Sequence, residues 1–380
     1  MNFNLNHFKI ISSILLTFLI VSCKQPEISP LEKVLWSAHP AMLKVLHDPN
    51  YFEIQIQYSE IKRDATGKVY FVDYDFRNNP DAYFYPASTV KLPVAILAAE
   101  YLDRISNVDI TTSYKVKGDS IFHSVEDDIR QIFSVSDNEA YNRLYELLGR
   151  DYINAKLDSK GISPMRISHR LAIENAGRQQ RDTLVFYTEK DSLYLGGGKD
   201  SIIKNLQIKK LQKGIGYMRD GVLVNEPMDF SEKNYFPIEA QHKLMKRLFF
   251  PEVFSENERF NISENTLNRI KKYMHTLPRK SGYKEDEFYD SYGKFFLYGD
   301  SKDRIPEQFK IYNKVGYAYG TLTETAYIVD EKAGIEFLLT ATILVNKNEI
   351  FNDDTYEYEE IGIPFLAQLG REIYLQEHEK

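Results

Sequence analysis

Two hydrophobic periods divide the chain. Phe52, Ile54, Ile56 and Tyr58 stand two residues apart, the spacing of a strand with one buried face. Asp64-Ala65-Thr66-Gly67 then reads as a hairpin turn, and Val69-Tyr70-Phe71-Val72 as the returning strand. From Leu92 to Leu102 the residues are almost all apolar, which predicts a helix buried on every side. Val125, Ile129, Ile132 and Phe133 mark one face of a helix over 125–135, with Ser124 as its cap. Glu139 to Leu148 is a second helix that stops at Gly149. Leu31 to Leu46 is helical in pattern with an interruption at Pro40, and further helices are expected over 238–250, 266–274 and 361–375. Strand patterns return at 308–317, 323–329 and 335–345. Two strands, many helices, three strands and a last helix predict an α+β fold. We expect a three-layer α/β/α arrangement whose antiparallel sheet is built from both chain ends, beside an all-helical part.

Two stretches lack a clear period. Asp151 to Thr183 is polar and reads as irregular, and Leu184 to Glu232 reads as an insertion rich in Lys, Gly and Tyr. Gly196-Gly197-Gly198 is no phosphate loop, because the Gly-Lys-Ser/Thr ending is missing. Lys204, Lys209, Lys210 and Lys213 read as a solvated basic face. A 43% apolar, 27% charged chain of 380 residues has ample material for a core. Its net charge of −7 speaks against general nucleic-acid binding.

The first residues belong to targeting rather than to the fold. Lys9 is followed by an apolar run from Ile10 to Val21, shorter than the ~20 residues that span a bilayer and shaped like a secretory signal. Leu19-Ile20-Val21-Ser22-Cys23 resembles a bacterial lipobox. The resemblance implies cleavage before Cys23, lipid on its sulfur, and a protein anchored to a membrane of the bacterial cell envelope. The sole cysteine, Cys23 has no disulfide partner within the chain. The expected division is a signal peptide over 1–22, a tether over 23–30 and one domain over 31–377.

Candidate chemistry begins at Ser88-Thr89-Val90-Lys91, at the mouth of the buried helix. Positions i and i+3 share a helix face, so the Lys91 amine is expected beside the Ser88 hydroxyl. A serine needs a base to become a nucleophile, and burial lowers a lysine pKa toward that role. Further on stand Ser136-Asp137-Asn138, which read equally as a cap and turn between two helices, and Lys314-Val315-Gly316 at the end of a strand.

In this order the three motifs resemble the Ser-x-x-Lys, Ser-Asp-Asn and Lys-Thr-Gly signature of class A β-lactamases and penicillin-binding proteins. The resemblance covers roughly residues 31–377 and implies the β-lactamase/transpeptidase-like fold. It implies that Ser88 is acylated, that Lys91 takes or relays its proton, and that Ser136 protonates the leaving nitrogen. It implies that Asn138 holds Lys91 and the substrate amide, that Lys314 draws a substrate carboxylate, and that Gly316 admits substrate to the strand edge. The N–H groups of Ser88 and Tyr317 would form the oxyanion hole. Two departures stand out. Val315 replaces the usual hydroxyl residue, and the Glu-x-x-Leu-Asn pattern of the deacylating base is not reproduced. Glu174, beside Asn175, is the carboxylate offered in its place. No histidine or cysteine spacing suggests a metal, and no cofactor is implied. The expected activity is a serine hydrolase acting on a β-lactam or a cell-wall peptide, as a monomer. A D-alanyl peptidase with Lys91 as its only base and a non-catalytic envelope binding protein are the alternatives.

Overall fold

The computed structural model describes residues 28–380; Cys23 and the apolar run before it lie outside the described residues. The expected first helix is two short ones, α1 (Pro30–Leu35) and α2 (Pro40–Leu46), each with Pro at its start and capped by Ser29 or His39. A hairpin comes next, β1 (Gln55–Arg63) and β2 (Val69–Phe76). Its turn is closed by Asp64, whose carboxylate accepts from the backbone N–H groups of Thr66 and Lys68. The apolar run forms α3 (Lys91–Leu102), buried on nearly every side. A short β3 (Tyr114–Val116) leads to α4 (Val125–Val135), whose cap Ser124 accepts from the N–H of Asp127. Then comes α5 (Asn138–Leu148), ending at Gly149.

Beyond Gly149 the structure corrects two expectations. The stretch read as irregular opens with a helix, α6 (Arg150–Ser159), whose buried residues Ile153 and Leu157 are spaced i, i+4. The segment from 184 does not start as an insertion. It starts with a core strand, β4 (Thr183–Tyr187), which leads to β5 (Ser192–Gly196), and β3, β4 and β5 form one sheet. Leu184 and Phe186 are buried in the main core. The peripheral part begins only after β5. There β6 (Gln212–Lys213), β7 (Gly216–Arg219), β8 (Val222–Val224) and β9 (Met228–Asp229) pair in small ladders.

Two helices, α7 (Ile238–Phe249) and α8 (Glu264–His275), precede the strands β10 (Phe309–Ala318), β11 (Thr321–Asp330) and β12 (Ile335–Leu344). The chain closes with β13 (Ile350–Phe351), which pairs with β7, and α9 (Ile363–His378). The main sheet has the order β10-β11-β12-β1-β2, antiparallel throughout, with Tyr58 of β1 opposite Leu339 of β12. Both chain ends thus meet in its middle. One face packs on α1, α2 and α9 through Ile54, Ile56, Phe337, Leu339, Phe365 and Leu369. The opposite face meets α7 and α8, with α3 and the other helices completing a second core. The result is the three-layer α+β arrangement, with β10 at the sheet edge beside the start of α3.

Candidate active site

Ser88 lies in a single 3-10 turn, Ala87–Val90, that runs directly into α3. Residues i and i+3 eclipse in such a turn, which directs Ser88 and Lys91 to one side. Ala87 opens the turn at φ +46, a left-handed conformation costly for a residue with a side chain. Strand β10 holds the turn from outside. A Cβ on Gly316 would lie 2.4 Å from the Pro86 carbonyl oxygen and 2.9 Å from the Ser88 nitrogen. Only glycine fits, so the first demand on Gly316 is the packing of strand against turn rather than the admission of substrate. As the edge strand, β10 has a partner on one side alone, and Ser88 and Tyr317 line one cleft with Tyr85, Asn138 and Leu171.

Ser136 sits where α4 ends and α5 has not begun, with φ +59. Asp137 caps α5, its side chain accepting from the N–H of Ala140 at 2.7 Å. The cap and turn reading of this segment therefore holds for Asp137, while its neighbours turn inward. Lys91 Nζ donates to the Ser136 carbonyl oxygen, to Ser136 Oγ at 3.2 Å and to Asn138 Oδ1 at 2.7 Å. Its hydrogen bonds thus run to the Ser-Asp-Asn corner and not to Ser88. Lys314 Nζ donates to the same Ser136 Oγ at 2.8 Å and to the Val315 carbonyl at 3.0 Å.

Two lysines therefore share one hydroxyl. Their nitrogens are no farther apart than about 6 Å, within the range where like charges depress each other. Burial pushes Lys91 down to about 7, with Asp137 opposing. Lys314 is held well below the ordinary lysine value, by burial first and then by Lys91 and Lys294, against Glu324. Neither ammonium has a salt-bridged carboxylate among the described residues. Ser136 Oγ has two lone pairs and one proton. With both lone pairs engaged by lysines, its proton remains available to donate.

Glu174 does not join this group. It is exposed at the tip of a loop and does not line the cleft of Ser88. The loop is built around Arg170, which is fully buried. Its guanidinium meets the Glu146 carboxylate and the carbonyls of Ala176, Arg178 and Gln180. Leu171 faces the cleft, and the chain then turns outward through Ala172 at φ +53 and Asn175 at φ +50. The carboxylate that does line the cleft is Asp354, on the loop after β13. Sequence reading passes over Asp354, Arg170 and the buried group of Lys294, Asn313 and Glu324 below β10. Arg170, Lys294 and Glu324 lie in stretches with no motif and are buried by tertiary packing, Asn313 is buried just before the Lys314 motif without belonging to it, and Asp354 is exposed on its loop.

With the geometry in view, the likeness to known proteins is informative. The family model described as the beta-lactamase enzyme family matches residues 53–375. The chain belongs to that family. It is a hydrolase of the superfamily of β-lactamase and penicillin-binding-protein-like serine hydrolases. No curated protein matches it. Among solved structures, a beta-lactamase from Xanthomonas campestris pv. campestris superposes with a TM-score of 0.54 at 13% identity, covering 92% of this chain and 100% of its own. A beta-lactamase from Desulfarculus baarsii gives 0.51 at 12% identity, covering 88% and 97%. The protein L2, complexed with relebactam, gives 0.50 at 13% identity, covering 90% and 97%. At such identity these structures share the family's fold.

Proposed function

We propose that the family's hydrolase chemistry runs here through an acyl-enzyme on Ser88, formed from a β-lactam or from an amide of a cell-wall peptide. One observation carries this reading: Lys91 is buried, depressed to about 7, and tied to the Ser136–Asn138 corner three residues after Ser88. As an ammonium it uses its three protons on Ser136 and Asn138. Losing one frees a lone pair that can accept the Ser88 proton as the hydroxyl attacks a carbonyl carbon. The N–H of Ser88 in the 3-10 turn and that of Tyr317 on the edge strand β10 suit the oxyanion that results. Ser136 Oγ then gives its proton to the leaving nitrogen and regains one from Lys91. Lys314 supplies positive charge to that half of the substrate.

Deacylation is the weaker half of the cycle. A water needs a base within about 3 Å, and Glu174 is turned to solvent. The acyl-enzyme formed with a penicillin should therefore be long-lived, which favours the peptidase-like reading over an efficient class A β-lactamase. Labelling with a fluorescent penicillin tests the nucleophile: Ser88→Ala should remove the label while thermal melting shows an intact fold. An Ala variant that labels at the wild-type rate refutes the assignment. We also propose that lipid on Cys23 holds the mature protein to the cell envelope, on the strength of the sequence Leu19 to Cys23. Detergent partitioning of Cys23→Ser is the check; a variant still in the membrane fraction overturns it.

A further inference from the structure

A second cavity, of about 120 Å³, opens beside Lys314 between the sheet and the long loop from α8 to β10. Tyr289, Tyr292 and Phe295 of that loop form one wall, and Val315, Leu322 and Ile363 form the other. Ser136 and Lys314 also line it, as do Ser134, Ser291, Asn313 and Glu359. Tyr317 and Tyr358 line both this cavity and the Ser88 cleft, so the two spaces adjoin. The residue that breaks the Lys-Thr-Gly pattern is part of the wall. Val315 is 2% exposed and belongs to the same hydrophobic cluster as Phe295 and Leu322. Gly293, at φ +72, brings the loop backbone over it, so that a Cβ there would lie 3.7 Å from Val315 Cγ2. A hydroxyl at this position would face an apolar wall. The size is that of an apolar cavity that takes up a benzene ring, roughly 150 Å³.

We propose that this cavity receives an apolar, ring-sized group carried on the leaving-group side of the substrate amide, and that Val315 and Tyr292 set that preference. The direction rests on the reading of Ser88 as nucleophile and Ser136 as proton donor to the leaving nitrogen, because the cavity meets the site at Ser136 and Lys314 rather than at Ser88. A ring there leaves water and buries against Tyr and Phe side chains. The substrate class is thus an N-substituted amide or lactam with a hydrophobic amine-side group.

Two isomeric amides separate the sides of the bond. N-benzylacetamide carries its ring on the amine side and N-methyl-2-phenylacetamide on the acyl side. NMR titration of the Ser88→Ala protein should find N-benzylacetamide bound at least tenfold more tightly than its isomer. Val315→Thr should weaken the first severalfold and leave the second unchanged. Tyr292→Leu, on the partly exposed loop, provides the same comparison if the Thr variant fails to fold. Equal affinities, or a preference insensitive to both substitutions, overturn the proposal. Penicillin labelling of the wild type is scored separately. Labelling without isomer preference removes the cavity proposal alone, and isomer preference without labelling removes the Ser88 reading and leaves the apolar cavity.

Discussion

Buried lysines occur in two places near β10, and they are handled differently. Lys294 donates to the carbonyls of Met274 and Ile311 at 3.2 and 2.9 Å and to Asn313 Oδ1 at 2.7 Å. The Asn313 amide in turn donates to Glu324 and to the Gly293 carbonyl, and Glu324 also accepts from the N–H of Phe296 at 2.6 Å. Burial lowers Lys294 and raises Glu324, each moderated by the other's charge. Every polar group of that set has a partner of its own. Lys91 and Lys314 instead converge on one serine hydroxyl, with no carboxylate in salt-bridge contact among the described residues. A satisfied network fixes a core. A pair of buried cations with no carboxylate beside it keeps its readiness to lose a proton for something that arrives later.

Exchanging one lysine from each place tests this contrast. Lys91→Met should slow acylation by about 10²–10⁴-fold, as for loss of a general base. Its stability should stay within about 1 kcal/mol of wild type, because removing an uncompensated buried charge offsets the lost hydrogen bonds. Lys294→Met should do the reverse in urea unfolding. It strands Asn313 and Glu324 in the core, costing about 3 kcal/mol, while the folded fraction acylates at close to the wild-type rate. The contrast fails if Lys294→Met abolishes acylation without loss of stability. The smallest effect is the pH dependence. Because burial lowers Lys91 to about 7, its neutral, basic form predominates above that value. The acylation rate should rise through pH 7 and drop about tenfold per unit below it. A rate flat from pH 5 to 8 argues against Lys91 as the base.

The same contrast explains what can be read in the sequence. Ser88, Lys91, Ser136, Asn138 and Lys314 lie on elements with strong periods: a buried helix, two amphipathic helices and an edge strand. Their convergence can be anticipated from a short motif on each. The α4 helix is legible to its cap, because Ser124 and the apolar positions of 125–135 agree. By contrast, α6 escapes notice because Ile153 and Leu157, with the partly buried Tyr152, make only a short apolar signal. The outward turn of Glu174 depends on the buried Arg170–Glu146 pair, residues 24 apart, and spacing near Glu174 carries no trace of it. Val315 is recognisable as a departure from the motif. Its reason stays hidden in the sequence, because the wall opposite it comes from a loop without period.

The acyl-enzyme mechanism proposed for the site requires that Ser88 become covalently modified, and the outward turn of Glu174 requires that the penicillin adduct persist. Intact-mass spectrometry of the wild-type protein after mixing with benzylpenicillin, with peptide mapping of the product, measures this directly. The expected result is a single penicilloyl adduct that persists for many minutes, on the peptide containing Ser88. An adduct on another residue, or rapid penicillin hydrolysis with no adduct accumulating, would contradict it.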